Sequence, residues 1–203
     1  MKSLSEIETL SKRASRASGF SWGIAEEIGK NIRMLEMFGL SGIKNLNYYY
    51  KVKKNKKFEK LSIITEENEK KKTEFCPIIS GVNFLDQVKS LEKFGKIKFQ
   101  NIAYPVLFLP FVSRASEIVG KKLKLYIDDQ VFLLNYNLSI YSNSSNEGIV
   151  EIGNNIFIEF LENLDTFKEN EWKELYTLSE NTFVEENESL KNVGAGAGLT
   201  DND

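Results

Sequence analysis

Apolar residues recur every three or four positions along the first forty residues, which predicts two amphipathic helices. Ser3 and Glu6 form a capping-box pattern at the start of the first helix, over residues 3–17, and Gly19 ends it. Its predicted buried face consists of Leu4, Ile7, Leu10, Ala14 and Ala17. A second helix is predicted from Ser21 to about residue 38, with a buried stripe of Ile24, Ile28, Ile32 and Leu35. The two helices are expected to form an antiparallel pair.

The hydrophobic spacing is less regular in residues 41–73. A tyrosine-rich segment there is followed by the lysine-rich run from Lys51 to Lys60 and by a second charged run. Such runs are typical of a solvated helix or a mobile loop, so residues 43–73 are expected to include one or the other. A short helix is predicted over residues 82–94.

From Lys96 onward the hydrophobic period changes to two, which predicts β-strands. The candidate strands are residues 97–102, 104–112, 122–127, 131–136, 138–141, 149–152 and 156–160. Asp128-Asp129-Gln130 and Gly153-Asn154-Asn155 predict hairpin turns, which imply a largely antiparallel sheet. A last helix is predicted from about Asp165 to Ser179, with Phe167, Trp172, Leu175 and Leu178 buried.

Together these elements predict an α+β fold in which the N-terminal helical pair packs on the largely antiparallel sheet. A C-terminal helix and an ordered glycine-rich tail complete it. The length of 203 residues suits a single domain.

The composition excludes several classes of site and partner. The chain has no histidine, which excludes a Ser-His-Asp triad and histidine-containing zinc sites. The formal net charge of -2 gives no basic footprint, so no nucleic acid is expected as a partner. No apolar run is long enough to span a membrane. With a lone cysteine and no pattern of a signal peptide, a cytoplasmic location is expected.

The start of the second helix offers the first candidate site. Glu26, Gly29 and Arg33 share one face of this helix, and Trp22 precedes them. In a polar pocket, Arg33 would bind an anion, Glu26 would act as acid or base, and Trp22 would stack on the ligand. Alternatively, Gly29 allows close helix packing beside an exposed ion pair, and Trp22 fills the core.

Cys76 is the second candidate. Pro77 follows it and Gly81 lies in the next turn, so the thiol is expected near the N-terminus of a helix. A thiol at such a place can act as a nucleophile. The alternative is that Cys76 is a small buried apolar residue.

The C-terminal tail is the third candidate. Gly194, Gly196 and Gly198 allow backbone to approach a ligand closely, so they are candidate ligand-binding residues. Asp201 and Asp203 bring carboxylates together and could hold a divalent metal, with Asp201 also a candidate for proton transfer. The alternative is a mobile terminus.

These motifs also carry a resemblance. The segment from Ser21 to Lys30, Cys76-Pro77 with Gly81, and the terminal Gly194 to Asp203 resemble a bacterial family of uncharacterised proteins. The resemblance covers the whole chain and implies no activity. A shared terminal signature implies that the tail docks, either in its own domain or in a partner subunit.

Two functions follow as hypotheses. The first is a small-molecule metabolic enzyme that binds a carboxylate- or phosphate-bearing ligand. The second is a non-catalytic accessory subunit or binding module whose tail docks into a partner protein, which includes a homo-oligomer.

Overall fold

The computed structural model describes residues 2–69, 72–135, 138–143 and 149–182. It confirms the predicted α+β class. The chain divides into two units, Met1–Asn163 and Leu164–Asp203. The first unit contains five α-helices and a six-stranded sheet, and the described part of the second contains one helix.

The first two helices lie where the capping signals predict them. Helix α1 spans Leu4–Ala17, and Ser3 and Glu6 form its capping box. Helix α2 spans Trp22–Met37, and the Ser21 hydroxyl accepts the Ile24 N–H. The two helices pack closely at Gly29, where a Cβ atom would lie 2.8 Å from the Glu8 carbonyl oxygen.

One residue of the predicted face of α1 is misplaced. Leu10 is 65% exposed, and the buried residues of α1 are instead Ile7, Ser11 and Ser15. Small serine side chains allow the neighbouring helices to approach, and their hydroxyls find partners. Ser15 donates to the Ser11 carbonyl oxygen at 2.6 Å and accepts from the Tyr50 hydroxyl at 2.6 Å.

The irregular middle of the chain forms helix α3, Gly42–Lys53. Tyr49 on this helix is completely buried, and Leu46 is nearly so. Helix α3 packs against α2. The tyrosine-rich segment therefore belongs to the core, and the lysines follow the end of its helix.

The sheet has the strand order β1-β2-β6-β3-β4-β5. Its strands are β1 Glu67–Asn68, β2 Lys96–Ala103, β3 Leu123–Ile127, β4 Gln130–Asn135, β5 Ser139–Ser142 and β6 Ile152–Phe160. All neighbours are antiparallel except β1 and β2, which are parallel. Asp128 and Asp129 form the predicted turn between β3 and β4.

The predicted turn at Gly153-Asn154-Asn155 is wrong, because these residues lie inside β6. Gly153 pairs with Ile102 of β2, and Asn155 pairs with Gln100. The Asp128 carboxylate accepts the N–H groups of Asn154 and Asn155 at 2.9 to 3.2 Å. Polar residues that suit a turn are therefore bound here by the turn of the neighbouring hairpin.

The predicted strand at residues 104–112 is also wrong. This segment forms a 3₁₀ turn, Pro105–Leu107, and the start of helix α5, Leu109–Val119. Both prolines lie at the beginning of a helical turn, where the missing N–H costs no hydrogen bond. The segment is apolar on all sides because residues 107–113 are buried, which hides the helical period.

Helices α4, Pro77–Leu91, and α5 pack on the sheet and on each other. At their contact, Gly81 lies directly against the ring of Phe111. Phe84, Phe99 and Phe108 form a completely buried aromatic cluster between α4 and the sheet. Helix α2 contacts α5, and α3 contacts the 3₁₀ turn that precedes α5.

In the second unit, helix α6 spans Glu169–Glu180 and has no buried residue. The side chains predicted to be buried there are exposed: Phe167, Trp172, Leu175 and Leu178 are 44 to 67% accessible. The Phe167 and Trp172 rings stack at 5.6 Å. The predicted ordered tail lies outside the described residues. Among the helices of the described ranges, none has the length and apolar character to cross a membrane.

Candidate functional site

The largest candidate site is a pocket of about 620 Å³ in the first unit. We call it the lysine pocket. It lies between the α1–α2 turn, the C-terminal half of α3, the segment after α3 and the start of α4. Its lining comprises Gly19, Phe20, Ser21, Ile24, Tyr49, Lys53, Lys56, Lys57, Phe58, Lys60, Cys76 and Ile79.

Cys76 and Tyr49 form the buried part of this pocket. Cys76 is the N-cap of α4, and its Sγ atom accepts the Ile79 N–H at 3.5 Å. The Tyr49 hydroxyl lies 3.1 Å from the same Sγ atom. Pro77 occupies the first turn of α4, so Cys76 is fixed where the sequence predicts it.

Burial sets the protonation of both groups. Burial raises the pKa of the Cys76 thiol above its ordinary value, and the hydrogen bond with Tyr49 opposes this only in part. Burial, followed by the proximity of Cys76, raises the pKa of Tyr49. Both groups are therefore protonated at neutral pH. The protein without ligand offers a thiol here rather than a nucleophilic thiolate.

Four lysines give the pocket a cationic rim. Lys53 donates to the Ser18 carbonyl oxygen at 2.7 Å, and Lys56 pairs with Glu74. Lys57 and Lys60 are exposed and form no salt bridge within the described ranges. An excess of cations beside apolar walls raises the local concentration of anions.

The walls between these charges are apolar. Phe20, Ile24, Phe58 and Ile79 contribute them, and the rings of Tyr49 and Phe58 stack at 5.2 Å. The Lys53 ammonium lies 5.0 Å from the ring centre of Phe20. The pocket thus combines aromatic and aliphatic surface with charge of one sign.

Glu26 and Trp22 lie outside this lining, on the exposed side of α2. The Glu26 carboxylate lies 3.2 Å from the ammonium groups of Lys12 and Lys30, whose hydrogen bonds lower its pKa. Trp22 is 60% exposed, with the Arg16 guanidinium 5.4 Å from its ring centre. The interpretation of Trp22 as a core residue is therefore wrong, and Glu26 belongs to a surface ion-pair cluster.

Arg33 lines a second pocket, of about 300 Å³, together with Glu8, Lys30, Asn31, Met34, Met37 and Arg114. We call it the Asn31 pocket. The Arg33 Nη1 atom lies 3.0 Å from the Glu8 carboxylate. The structure therefore places Arg33 and Cys76, which the sequence suggests as parts of one site, in the linings of two different pockets.

The tail candidates Gly194, Gly196, Gly198, Asp201 and Asp203 lie outside the described residues. In the ranges that the structure does describe, no group of three or more Cys, Asp and Glu side chains is arranged to hold a metal ion. The divalent metal at Asp201 and Asp203 stays a prediction.

Sequence reasoning missed Tyr49 and the lysines as site residues. The run from Lys51 to Lys60 has the composition of a solvated surface, and in part it is one. A signal was present in the change from three tyrosines to alternating lysines and Phe58. Aromatic residues interleaved with cations are typical of surfaces that bind anionic ligands.

Residues 2–76 match the model of a family described as a protein of unknown function, DUF3726. The N-terminal part of the chain is thus similar to an uncharacterised domain family. No curated protein and no solved structure gives a significant match. The matched range ends at Cys76 and includes every lining residue of the lysine pocket except Ile79. Beyond residue 76, the resemblance stays a prediction.

Proposed function

We propose that the protein binds a small organic anion in the lysine pocket, as a metabolite-binding protein or a metabolic enzyme. The ligand carries a carboxylate or phosphate on an apolar or aromatic body. The observation that carries the proposal is the pair of exposed lysines, Lys57 and Lys60, without salt bridges at the mouth of an apolar pocket.

The chemistry of the lining supports this class of ligand. Lysine ammonium groups act as point charges for phosphate or carboxylate, and they disfavour cations. The rings of Phe20 and Phe58 offer surface for the body of the ligand. A volume of about 620 Å³ is within the range of small-molecule sites.

Within this proposal, Cys76 and Tyr49 are polar contacts at the buried end of the ligand. Cys76 is the member of the predicted catalytic set that this pocket contains. An enzymatic role would depend on a ligand that changes the protonation of its thiol. Asp201 and the glycines of the tail remain candidates for closing over the ligand, as the sequence suggests.

Thermal unfolding with matched probes tests the proposal. Phenyl phosphate and benzoate carry both the anion and the ring, inorganic phosphate carries the anion alone, and phenol carries the ring alone. At constant ionic strength, we expect phenyl phosphate to raise the unfolding midpoint most, because a ligand of the folded state stabilises it by mass action. In Lys57→Gln with Lys60→Gln, its Kd should rise about tenfold or more.

Lys44→Gln with Lys89→Gln is the matched control, because these exposed lysines lie outside the pocket lining. The control should respond to phenyl phosphate like the unmodified chain. An equal loss in both double variants would mean a general charge effect. No response to any of the probes would contradict the proposal.

A second candidate function is that of an accessory subunit that docks through its C-terminal region. The observation that favours it is the exposure of Trp172, Leu175 and Leu178 on α6, since contiguous exposed apolar side chains often mark interaction sites. The molar mass of the chain in solution, with and without this region, tests self-association of this kind.

A further inference from the structure

Asn31 on α2 is a buried amide without a hydrogen-bond partner. Its side chain is 3% exposed, and neither its oxygen nor its nitrogen has a partner among the described residues. Burying an amide without hydrogen bonds lowers the stability of the folded protein. Such a group is expected where a ligand completes the bonding, because function is often retained at the expense of stability.

The surroundings of Asn31 suit a ligand. Asn31 lines the pocket of about 300 Å³, at the lower end of the range for small-molecule sites. Arg33 and Arg114 supply guanidinium groups, and Glu8 supplies a carboxylate. Met34 and Met37 add apolar side chains that adapt to ligands of different shape.

The two arginines are only partly used by the protein. Arg33 contacts one oxygen of Glu8 through its Nη1 atom, and Arg114 contacts one oxygen of Glu27 through its Nη1 atom. A guanidinium group has five N–H donors and can bind a carboxylate with two of them. Each arginine therefore retains donors for a further carboxylate.

The charges of the Asn31 pocket differ from those of the lysine pocket. Its cations are already paired within the protein: Arg33 with Glu8, Arg114 with Glu27, and Lys30 with Glu26 and Glu27. A net anion gains little from such a balanced set. A neutral ligand that carries both signs of charge fits it better.

We propose that the Asn31 pocket binds a free amino acid with an apolar side chain. Arg33 and Arg114 bind its carboxylate, and Glu8 binds its ammonium group. The Asn31 amide donates to the carboxylate and accepts from the ammonium group. The apolar side chain lies against Met34 and Met37. This site is separate from the lysine pocket, and the proposal does not depend on the anion proposed there.

Calorimetric titration and thermal unfolding with L-leucine and L-methionine test the proposal. We expect both to raise the unfolding midpoint, whereas leucinamide lacks the carboxylate, N-acetyl-leucine lacks the ammonium group, and neither should bind comparably. Asn31→Leu should raise the midpoint of the protein without ligand, because it removes the unpaired amide. The same variant should weaken the Kd for L-leucine about tenfold or more.

Three further variants keep the test sharp. Asn47→Leu replaces an exposed asparagine of α3 and should leave the response to L-leucine unchanged. Lys57→Gln with Lys60→Gln should also leave it unchanged, which separates this site from the lysine pocket. Arg33→Met should lose the response even if Asn31→Leu fails to fold.

Three results would overturn the inference. One is that neither amino acid binds at millimolar concentration. Another is that binding survives both Asn31→Leu and Arg33→Met. The third is that Asn31→Leu lowers the midpoint of the protein without ligand, which would show that the amide is bonded within the protein or to ordered water.

Discussion

Cys76, Tyr49 and Tyr50 link the buried end of the lysine pocket to the packing of α1 and α3. Burial is the main cause that raises the pKa of each of the three groups. The folded protein therefore keeps these protons at a pH where the unfolded chain, with ordinary values of 9.0 for cysteine and 10.0 for tyrosine, releases them.

This difference predicts how stability depends on pH. Above pH 9 the unfolded state binds fewer protons than the folded state, so the free energy of unfolding should fall as pH rises. Each fully titrating group contributes a slope of about 1.4 kcal/mol per pH unit. Stability is therefore expected to be unaffected by these groups below about pH 8, and to be lost progressively from pH 9 to 10.5.

Urea unfolding between pH 7 and 10.5 measures this slope. Tyr49→Phe removes one of the titrating groups and should make the slope shallower, whatever its effect on stability at pH 7. Tyr141→Phe removes an exposed hydroxyl on β5 and is the control. A slope that Tyr49→Phe and Tyr141→Phe change equally would show that the buried hydroxyl does not contribute to it.

At the scale of elements, the contact between α4 and α5 depends on the absence of a side chain at Gly81. A Cβ atom there would overlap the ring of Phe111, which is itself buried. Gly81→Ala should therefore destabilise the protein by about 1–3 kcal/mol through overpacking, although alanine favours helix by about 1 kcal/mol.

Gly23→Ala is the matched control, because Gly23 also lies in a helix but has open space around it. This variant should be neutral or more stable by up to about 1 kcal/mol. Combining Gly81→Ala with Phe111→Leu should make Gly81→Ala less costly than it is alone. Urea unfolding measures all of these differences, and equal stability of the Gly81→Ala and Gly23→Ala variants would refute the overpacking argument.

The same elements explain how far the sequence predicts the fold. Serine caps and three- to four-residue spacing locate α1 and α2, because these signals are local. Helix α5 has no such signal, since it is apolar on nearly all sides and begins with proline. The turn residues at Gly153 mislead for a different reason: their N–H groups bind Asp128, which lies 25 residues earlier in the chain.

The candidate site is predicted less well than the fold. The position of Cys76 at a helix N-terminus follows from Pro77, so the sequence contains it. The approach of Tyr49, Lys53 and Cys76 arises from the packing of α3 against the start of α4. Sequence spacing does not encode such contacts, and Asn31 has no signal because an asparagine on a helix is usually exposed.

At the scale of the whole molecule, the described core belongs to the first unit. Its buried apolar side chains run from Ile7 to Phe160, and helix α6 of the second unit has none. Both candidate pockets are likewise lined by residues of the first unit. The first unit therefore contains what each proposed ligand needs, apart from any contribution of the tail.

A chain that ends at Asn163 tests this division. We expect it to unfold cooperatively with a midpoint within about 5 °C of the full chain, because no described core residue is removed. Its response to phenyl phosphate should be retained, which would show that the tail is not part of the lysine pocket. A lost response in a folded truncated chain would instead support the predicted docking of Gly194, Gly196 and Gly198 at the ligand.

Light scattering on the same two chains addresses the accessory-subunit alternative. If α6 mediates self-association, the full chain should exceed the monomer mass, and both truncation and Trp172→Lys with Leu175→Lys should restore it. Lys168→Gln with Lys173→Gln is the control, because these residues flank the same apolar side chains without adding to them. A monomer in every case would contradict self-association through α6. The ligand response of the first unit would then carry the functional assignment.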